Sequence, residues 1–346
     1  MKRLRLLLLL GVLAMVSLAG CGSGDESKPE TTKATSSGPP DSQFLQINLP
    51  GKANPEEAGI LLAHKLGYFP EAGFRGWFIT PSHPARPPMY VEQELVDAAI
   101  VHGPQLILAR EKGKPLIAFG SLLPHPTMAM IWLEGSGINS IADLKGKTIA
   151  IPGVNFQRFF LEAVLERAGL TLADVKLERV GYYLESELIQ GRADAIFGGS
   201  MNNEGRLLEA RGLEPVVTPV AKLGVPDYDE LVLVARRDRY AEDPELYQHL
   251  AEATARGGAE VAEKPGAATE AIIAHRKYEN SSEPGLPLHP RATQAGVEEL
   301  APRFSRTGKI DEAKLERLID WMYEEGMIKR RWSAAQLVDE GGASKP

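Results

Sequence analysis

Three short segments place polar side chains just beyond runs that read as strands. Val101-His102-Gly103-Pro104 follows 98–100, Gly153-Val154-Asn155-Phe156-Gln157 follows 148–151, and Ser200-Met201-Asn202-Asn203-Glu204 follows 195–197. In open parallel sheets, ligands collect beyond the carboxyl ends of strands. The second segment also opens a helix, whose first N–H groups are free to face a ligand. Asn155 and Gln157 could hydrogen-bond a polar ligand, and Phe156 could either stack on a planar one or pack in the core. His102 is the best placed of the seven histidines, for a ligand contact or for a structural hydrogen bond. This is chemistry of recognition. The chain has no GxGxxG after a strand, no GxxxxGK[ST], no GxSxG and no HExxH. No histidine stands at short spacing from another or from a cysteine, so neither a metal nor a cofactor is expected.

The elements that must carry these residues alternate between β-rich runs and helical patterns, which favours an α/β architecture with largely parallel sheets. Strands are expected at 44–49, 74–79, 98–101, 116–122, 128–133, 148–151, 175–180, 195–197, 216–217 and 231–235. Helices are expected at 57–66, closed by Gly67, at 156–168, and at 311–325, where Leu315, Leu318, Ile319 and Met322 form one apolar stripe. Glu312, Glu316 and Glu324 in that last helix read as solvated charge. Glu94-Leu95-Val96-Asp97-Ala98-Ala99-Ile100 echoes Gln190-Gly191-Arg192-Ala193-Asp194-Ala195-Ile196 around an Asp-Ala step. Two similar α/β lobes with a cleft between them account for the echo, and a length of 346 residues suits about two domains.

Composition limits the alternatives. Hydrophobic residues at 43% and charged residues at 25% exclude a disordered or collagen-like chain. The N-terminus has Lys2, Arg3 and Arg5, then an apolar run from Leu6 to Leu18 broken only by Gly11 and Ser17, then Ala19, Gly20 and Cys21. This is the pattern of a secretory signal over 1–20. Leu18-Ala19-Gly20-Cys21 resembles a bacterial lipobox, which makes Cys21 a lipid attachment point. Residues 22–43 contain no large apolar side chain and read, with Cys21, as a tether over 21–43. Without its first three cations the chain goes from a net charge of −7 to −10 and has no basic run, which argues against nucleic acid.

Four further stretches carry a family resemblance. Leu62-Ala63-His64-Lys65-Leu66-Gly67-Tyr68-Phe69-Pro70-Glu71-Ala72-Gly73-Phe74 resembles the opening signature of periplasmic solute-binding proteins, which include sulfonate- and thiamine-pyrimidine-binding members. Asp143-Leu144-Lys145-Gly146-Lys147-Thr148-Ile149-Ala150 resembles the entry to their second lobe, and Gly191-Arg192-Ala193-Asp194-Ala195-Ile196 a later strand. Gly224-Val225-Pro226-Asp227-Tyr228-Asp229-Glu230-Leu231-Val232-Leu233 is similar to the crossover of the thiamine-pyrimidine-binding branch.

The resemblance spans about 44 to 335 and implies a bilobal periplasmic-binding-protein fold: two α/β lobes joined by two crossover segments around a ligand cleft. Residues 44–124 plus 230–346 would form one lobe and 128–224 the other. It also implies an ABC permease and ATPase as partners, an extracytoplasmic, lipid-anchored location, and no catalysis. In the pyrimidine-binding branch a carboxylate at the position of Glu204 looks like the partner of the aminopyrimidine. A helix N-terminal charge fits Glu204 as well. Asn203 beside it and Tyr228 in the crossover are candidate contacts. Where the family has aromatic residues before its first helix, this chain has Gly51-Lys52-Ala53-Asn54-Pro55-Glu56, making Asn54 and Glu56 candidates on the first lobe. Tyr90 ends a proline-rich segment that could hold it at the cleft rim or merely stiffen a loop.

The expected ligand is therefore a planar nitrogen heterocycle, a thiamine pyrimidine precursor first and riboflavin second. The alternatives are a pyrimidine-synthase-like enzyme, whose eukaryotic members carry a cysteine-rich motif, a binder of sulfonate- or nitrate-type anions, and a sensor.

Overall fold

In the computed structural model, residues 43–279 and 288–338 are described, and Cys21 with the expected signal and most of the tether lies outside them. All ten expected strands form: β1 Gln43–Asn48, β2 Phe74–Ile79, β3 Ala98–His102, β4 Leu116–Leu123, β5 Met128–Leu133, β6 Thr148–Ile151, β7 Lys176–Arg179, β8 Ala195–Ser200, β9 Pro215–Pro219 and β10 Leu231–Arg236. They assemble into two five-stranded sheets with orders β2-β1-β3-β10-β4 and β7-β6-β8-β5-β9. The two orders are the same arrangement used twice. The chain passes from the first sheet to the second between β4 and β5, and returns between β9 and β10.

The sheets are mixed, which corrects the expectation of largely parallel ones. β10 runs antiparallel to β3 and β4, and β5 runs antiparallel to β8 and β9. The antiparallel strand in each sheet is the one that follows a passage between sheets. It enters from the shared side, where no crossover helix precedes it to turn it parallel.

The Asp-Ala echo has a physical basis. Asp97 accepts the Gln46 backbone N–H through Oδ2 at 2.7 Å, and Asp194 accepts the Thr148 N–H in the same way at 2.8 Å. Each aspartate opens the third strand of its sheet and pins the preceding parallel neighbour, so the short sequence similarity marks an equivalent joint in both sheets.

Three apolar clusters cover these sheets. One packs the helices Ala58–Lys65, Pro244–Val261 and Pro265–Tyr278 on one face of the first sheet, and one covers the outer face of the second. The largest runs from the first sheet to the second through Val101, Met130, Phe156, Phe160 and Tyr228. It takes in the helix Glu312–Glu324, which buries Leu315, Leu318, Ile319 and Met322 as their spacing predicts. Each such side chain contributes about 1.5–3 kcal/mol. Among the described residues no helix is long and apolar enough to cross a membrane.

The two inter-sheet passages are stitched together. His125 Nδ1 meets the Asp227 carboxylate at 3.0 Å. Lys314 Nζ donates to the Pro124 carbonyl and lies 3.4 Å from Asp229, whose other contact is the Ser121 hydroxyl at 2.5 Å.

Candidate functional site

A cleft with about 150 Å³ of free volume lies between the sheets, lined from both of them and from both passages. The loop after β1 supplies Lys52, Asn54 and Glu56, and the end of β3 supplies His102. From the second sheet come Gln157 after β6, Tyr182 and Tyr183 after β7, Ser200 at the end of β8, and Asn203 and Glu204 after it. The passages contribute Thr127 and Glu230.

Glu204 is held by its own turn. β8 ends at Ser200, whose side chain accepts the Asn202 N–H at 3.2 Å, and a single π-helical turn over Met201–Gly205 follows. π-turns recur at functional sites because the extra residue re-aims side chains. Here the Glu204 carboxyl folds back so that Oε2 accepts the Ser200 N–H at 2.6 Å and Oε1 accepts from Asn203 Nδ2 at 3.0 Å. Burial, followed by the nearby Glu185 carboxylate, raises its pKa to about 8. At neutral pH the group is a carboxylic acid, able to donate one hydrogen bond and accept another. Glu204 therefore both closes the turn that carries it and lines the cleft.

The floor beneath β8 requires glycine. Gly198 has φ 95°, and a Cβ there would stand 2.8 Å from Gln157 Cδ and Nε2. Gln157 is buried and donates to the Gly198 carbonyl at 3.3 Å.

On the opposite wall, Leu231 pairs with His102 across the antiparallel β3–β10 register, which sets Glu230 beside the imidazole. Glu230 Oε1 lies 2.7 Å from His102 Nδ1. Its Oε2 accepts from the Thr127 N–H at 2.8 Å, the Met128 N–H at 3.3 Å and the Tyr228 hydroxyl at 3.1 Å. Burial pushes the Glu230 carboxyl up, but His102 and these donors outweigh it and hold the group below the usual range. Burial likewise works against a charged His102, and Glu230 overcomes it and raises the imidazole. Glu56, by contrast, is raised by burial and by the Glu230 charge, while accepting a hydrogen bond from the Thr127 hydroxyl.

Asn54, Glu56, His102, Gln157, Asn203 and Glu204 thus line one cleft. Asn54 does so as the cap of a short 3-10 turn over Pro55–Glu57, accepting the Glu56 N–H at 2.9 Å. Four other candidates stand elsewhere. Phe156 is fully buried, with ring centroids 5.2 Å from His102 and 5.3 Å from Phe160, so it packs behind the histidine and does not offer a stacking face. Asn155 is exposed and outside the lining. Tyr90 is half-buried in the helix Pro87–Glu92, its hydroxyl 3.3 Å from Ser82 Oγ, and lies outside the lining. Tyr228 is fully buried and serves Glu230 instead of the cleft.

Glu230, Thr127, Tyr182, Tyr183 and Glu185 line the cleft without having been expected there. The rule of looking beyond strand ends would have reached Tyr182 and Tyr183, which follow β7. Tyr182 also donates its hydroxyl to the Pro81 carbonyl at 3.0 Å, joining the loop after β7 to the loop after β2.

The NMT1/THI5-like family model matches residues 54–268. The chain belongs to the NMT1/THI5-like family. Among its relatives, a formylaminopyrimidine-binding protein of Halalkalibacterium halodurans is 26% identical over 326 residues, covering 93% of this chain and 94% of that one. A 4-amino-5-hydroxymethyl-2-methylpyrimidine phosphate synthase of Legionella pneumophila is 28% identical over 222 residues, covering 63% and 69%. The solved alkanesulfonate-binding protein SsuA of Xanthomonas axonopodis pv. citri superposes with a TM-score of 0.67 at 16% identity, covering 86% of this chain and 98% of that one. The fold is the bilobal α/β fold of periplasmic binding proteins.

Proposed function

We propose that the chain is the extracytoplasmic solute-binding lipoprotein of an ABC importer, anchored through Cys21, and that it takes an aminopyrimidine of the thiamine-precursor type. Its lobes are 44–124 plus 230–346 and 128–224, and a ligand that touches both favours the closed form read by the permease. The observation that carries this reading is the Glu204 carboxyl, which lines the cleft with one donor already on each oxygen. A neutral carboxyl matches the edge of an aminopyrimidine, donating to the ring nitrogen and accepting from the amino group. The formylaminopyrimidine-binding relative supports the same chemistry.

The free volume of about 150 Å³ suits a single ring. It falls short of the roughly 300–1,000 Å³ of drug-sized sites, which disfavours riboflavin. Lys52 and Arg276 line the cleft together with Glu56, Glu185, Glu204 and Glu230, so binding of a small anion is decided by direct titration and not by the charge of the lining. No cysteine occurs in residues 22–346, so a cysteine-rich catalytic motif has no counterpart.

Calorimetry on the full chain in detergent tests the reading against 4-amino-5-hydroxymethyl-2-methylpyrimidine, riboflavin and a small alkanesulfonate. Only the pyrimidine is expected to bind. Glu204→Leu should weaken it about 100-fold, as expected when two buried hydrogen bonds are lost, whereas Glu204→Gln keeps one donor and one acceptor and retains most affinity. Absence of binding to the pyrimidine sinks the proposal.

A further inference from the structure

The His102–Glu230 pair is too heavily built to serve packing alone. Glu230 is 2% exposed and accepts three hydrogen bonds on Oε2, none of which involves its other oxygen. That oxygen faces His102 Nδ1 at 2.7 Å. An ionised carboxylate can only accept, so Nδ1 carries the proton and the tautomer is set by the partner. Phe156 against the imidazole fixes the ring plane. With Nδ1 committed to Glu230, Nε2 is the polar atom that His102 offers to the cleft it lines.

Resting on the pyrimidine reading above, the geometry points to a two-ended ligand. We propose that His102 Nε2 recognises a hydrogen-bonding arm on the pyrimidine ring while Glu204 holds the amidine edge from the opposite sheet, and that Glu230 is the positioning residue for His102. A hydroxyl or amide arm serves in either protonation state of the imidazole, since it can donate to Nε2 or accept from Nε2–H. A bare methyl arm would leave Nε2 buried against it and unpartnered, a loss that typically reaches about tenfold or more.

Titration calorimetry on the full chain in detergent, with 4-amino-5-hydroxymethyl-2-methylpyrimidine and 4-amino-2,5-dimethylpyrimidine, tests this. The wild type should prefer the hydroxymethyl compound by about tenfold. His102→Phe should bind both with nearly equal affinity, and its retained binding of the dimethyl compound shows that it is folded. His102→Gln, which keeps a polar tip, should recover part of the preference. For Glu230→Gln, the imidazole titration followed by NMR should move to lower pH and the preference for the hydroxymethyl compound should shrink, whereas a purely structural pair would shift the titration and leave the preference unchanged. Equal wild-type affinity for the two compounds, an undiminished preference in His102→Phe or Glu230→Gln, or an unmoved titration in Glu230→Gln overturns the inference and leaves the pyrimidine reading standing. Wild-type binding of neither compound overturns both.

Discussion

Glu204 Oε2 accepts the backbone N–H of Ser200 at 2.6 Å, so the carboxyl that lines the cleft also closes the turn that carries it. Recognition and local folding are thereby linked. A ligand that pulls on Glu204 pulls on the end of β8, which is paired with β6 and β5 in the second sheet.

This link predicts a pH-dependent stability. Glu204 has a folded-state pKa of about 8 against an ordinary value of 4.5, so the folded chain holds this proton more tightly than the unfolded one. The contribution is complete below the ordinary value and is lost as pH rises through about 8. In thermal melts, Glu204→Gln should gain more over the wild type at alkaline pH than at pH 5. The opposite order would mean that the carboxyl is not the buried acid described. Pyrimidine affinity should likewise fall above about pH 8 in the wild type and stay level in Glu204→Gln.

Phe156 separates packing from recognition. Its ring is fully buried between His102 and Phe160, so Phe156→Ala should cost about 3–5 kcal/mol in urea unfolding. Phe156→Leu should cost less and leave ligand affinity within a few-fold. A large affinity loss with unchanged stability would restore Phe156 as a contact residue.

Gly198 tests the floor of the cleft. Gly198→Ala imposes a side chain at φ 95° and drives Cβ against Gln157, a combination that should cost about 1–3 kcal/mol or more. Denaturant unfolding should show the loss, and binding should weaken with it because Gln157 is displaced. A neutral result would show that the β8 end relaxes freely.

Lys314 braces the two inter-sheet passages. Its ammonium is buried between Asp229 and the Pro124 carbonyl. Lys314→Met strands Asp229, already raised by burial despite Lys314, and should cost about 3–5 kcal/mol. Adding Asp229→Asn should recover a good part of that. Strict additivity of the two substitutions in denaturant unfolding would show that they are not coupled.

Most of the scaffold was legible because its signals are local. Ten β-rich runs between polar breaks marked ten strands, and the 3.6-residue spacing of Leu315, Leu318, Ile319 and Met322 marked a buried helix face. His102 and Gln157 were legible because their segments lie at or just beyond strand ends, and Glu204 was singled out in such a segment by the family resemblance. Strand direction was not, because an apolar run reads the same in either sense, and β5 and β10 turned out antiparallel.

By itself the sequence determined the elements, their order, the strand-end residues that reach the cleft, and the Asp97 and Asp194 joints that repeat from one sheet to the other. Only the tertiary structure decided which polar groups work as pairs. Glu230 stands 128 residues from His102 in the chain and becomes its partner through the antiparallel β3–β10 register. Phe156 turns inward because the core spanning the two sheets occupies that side of its helix. Such outcomes depend on distant strands meeting in one register and on which face of a helix is covered, and no local pattern of residue types encodes either.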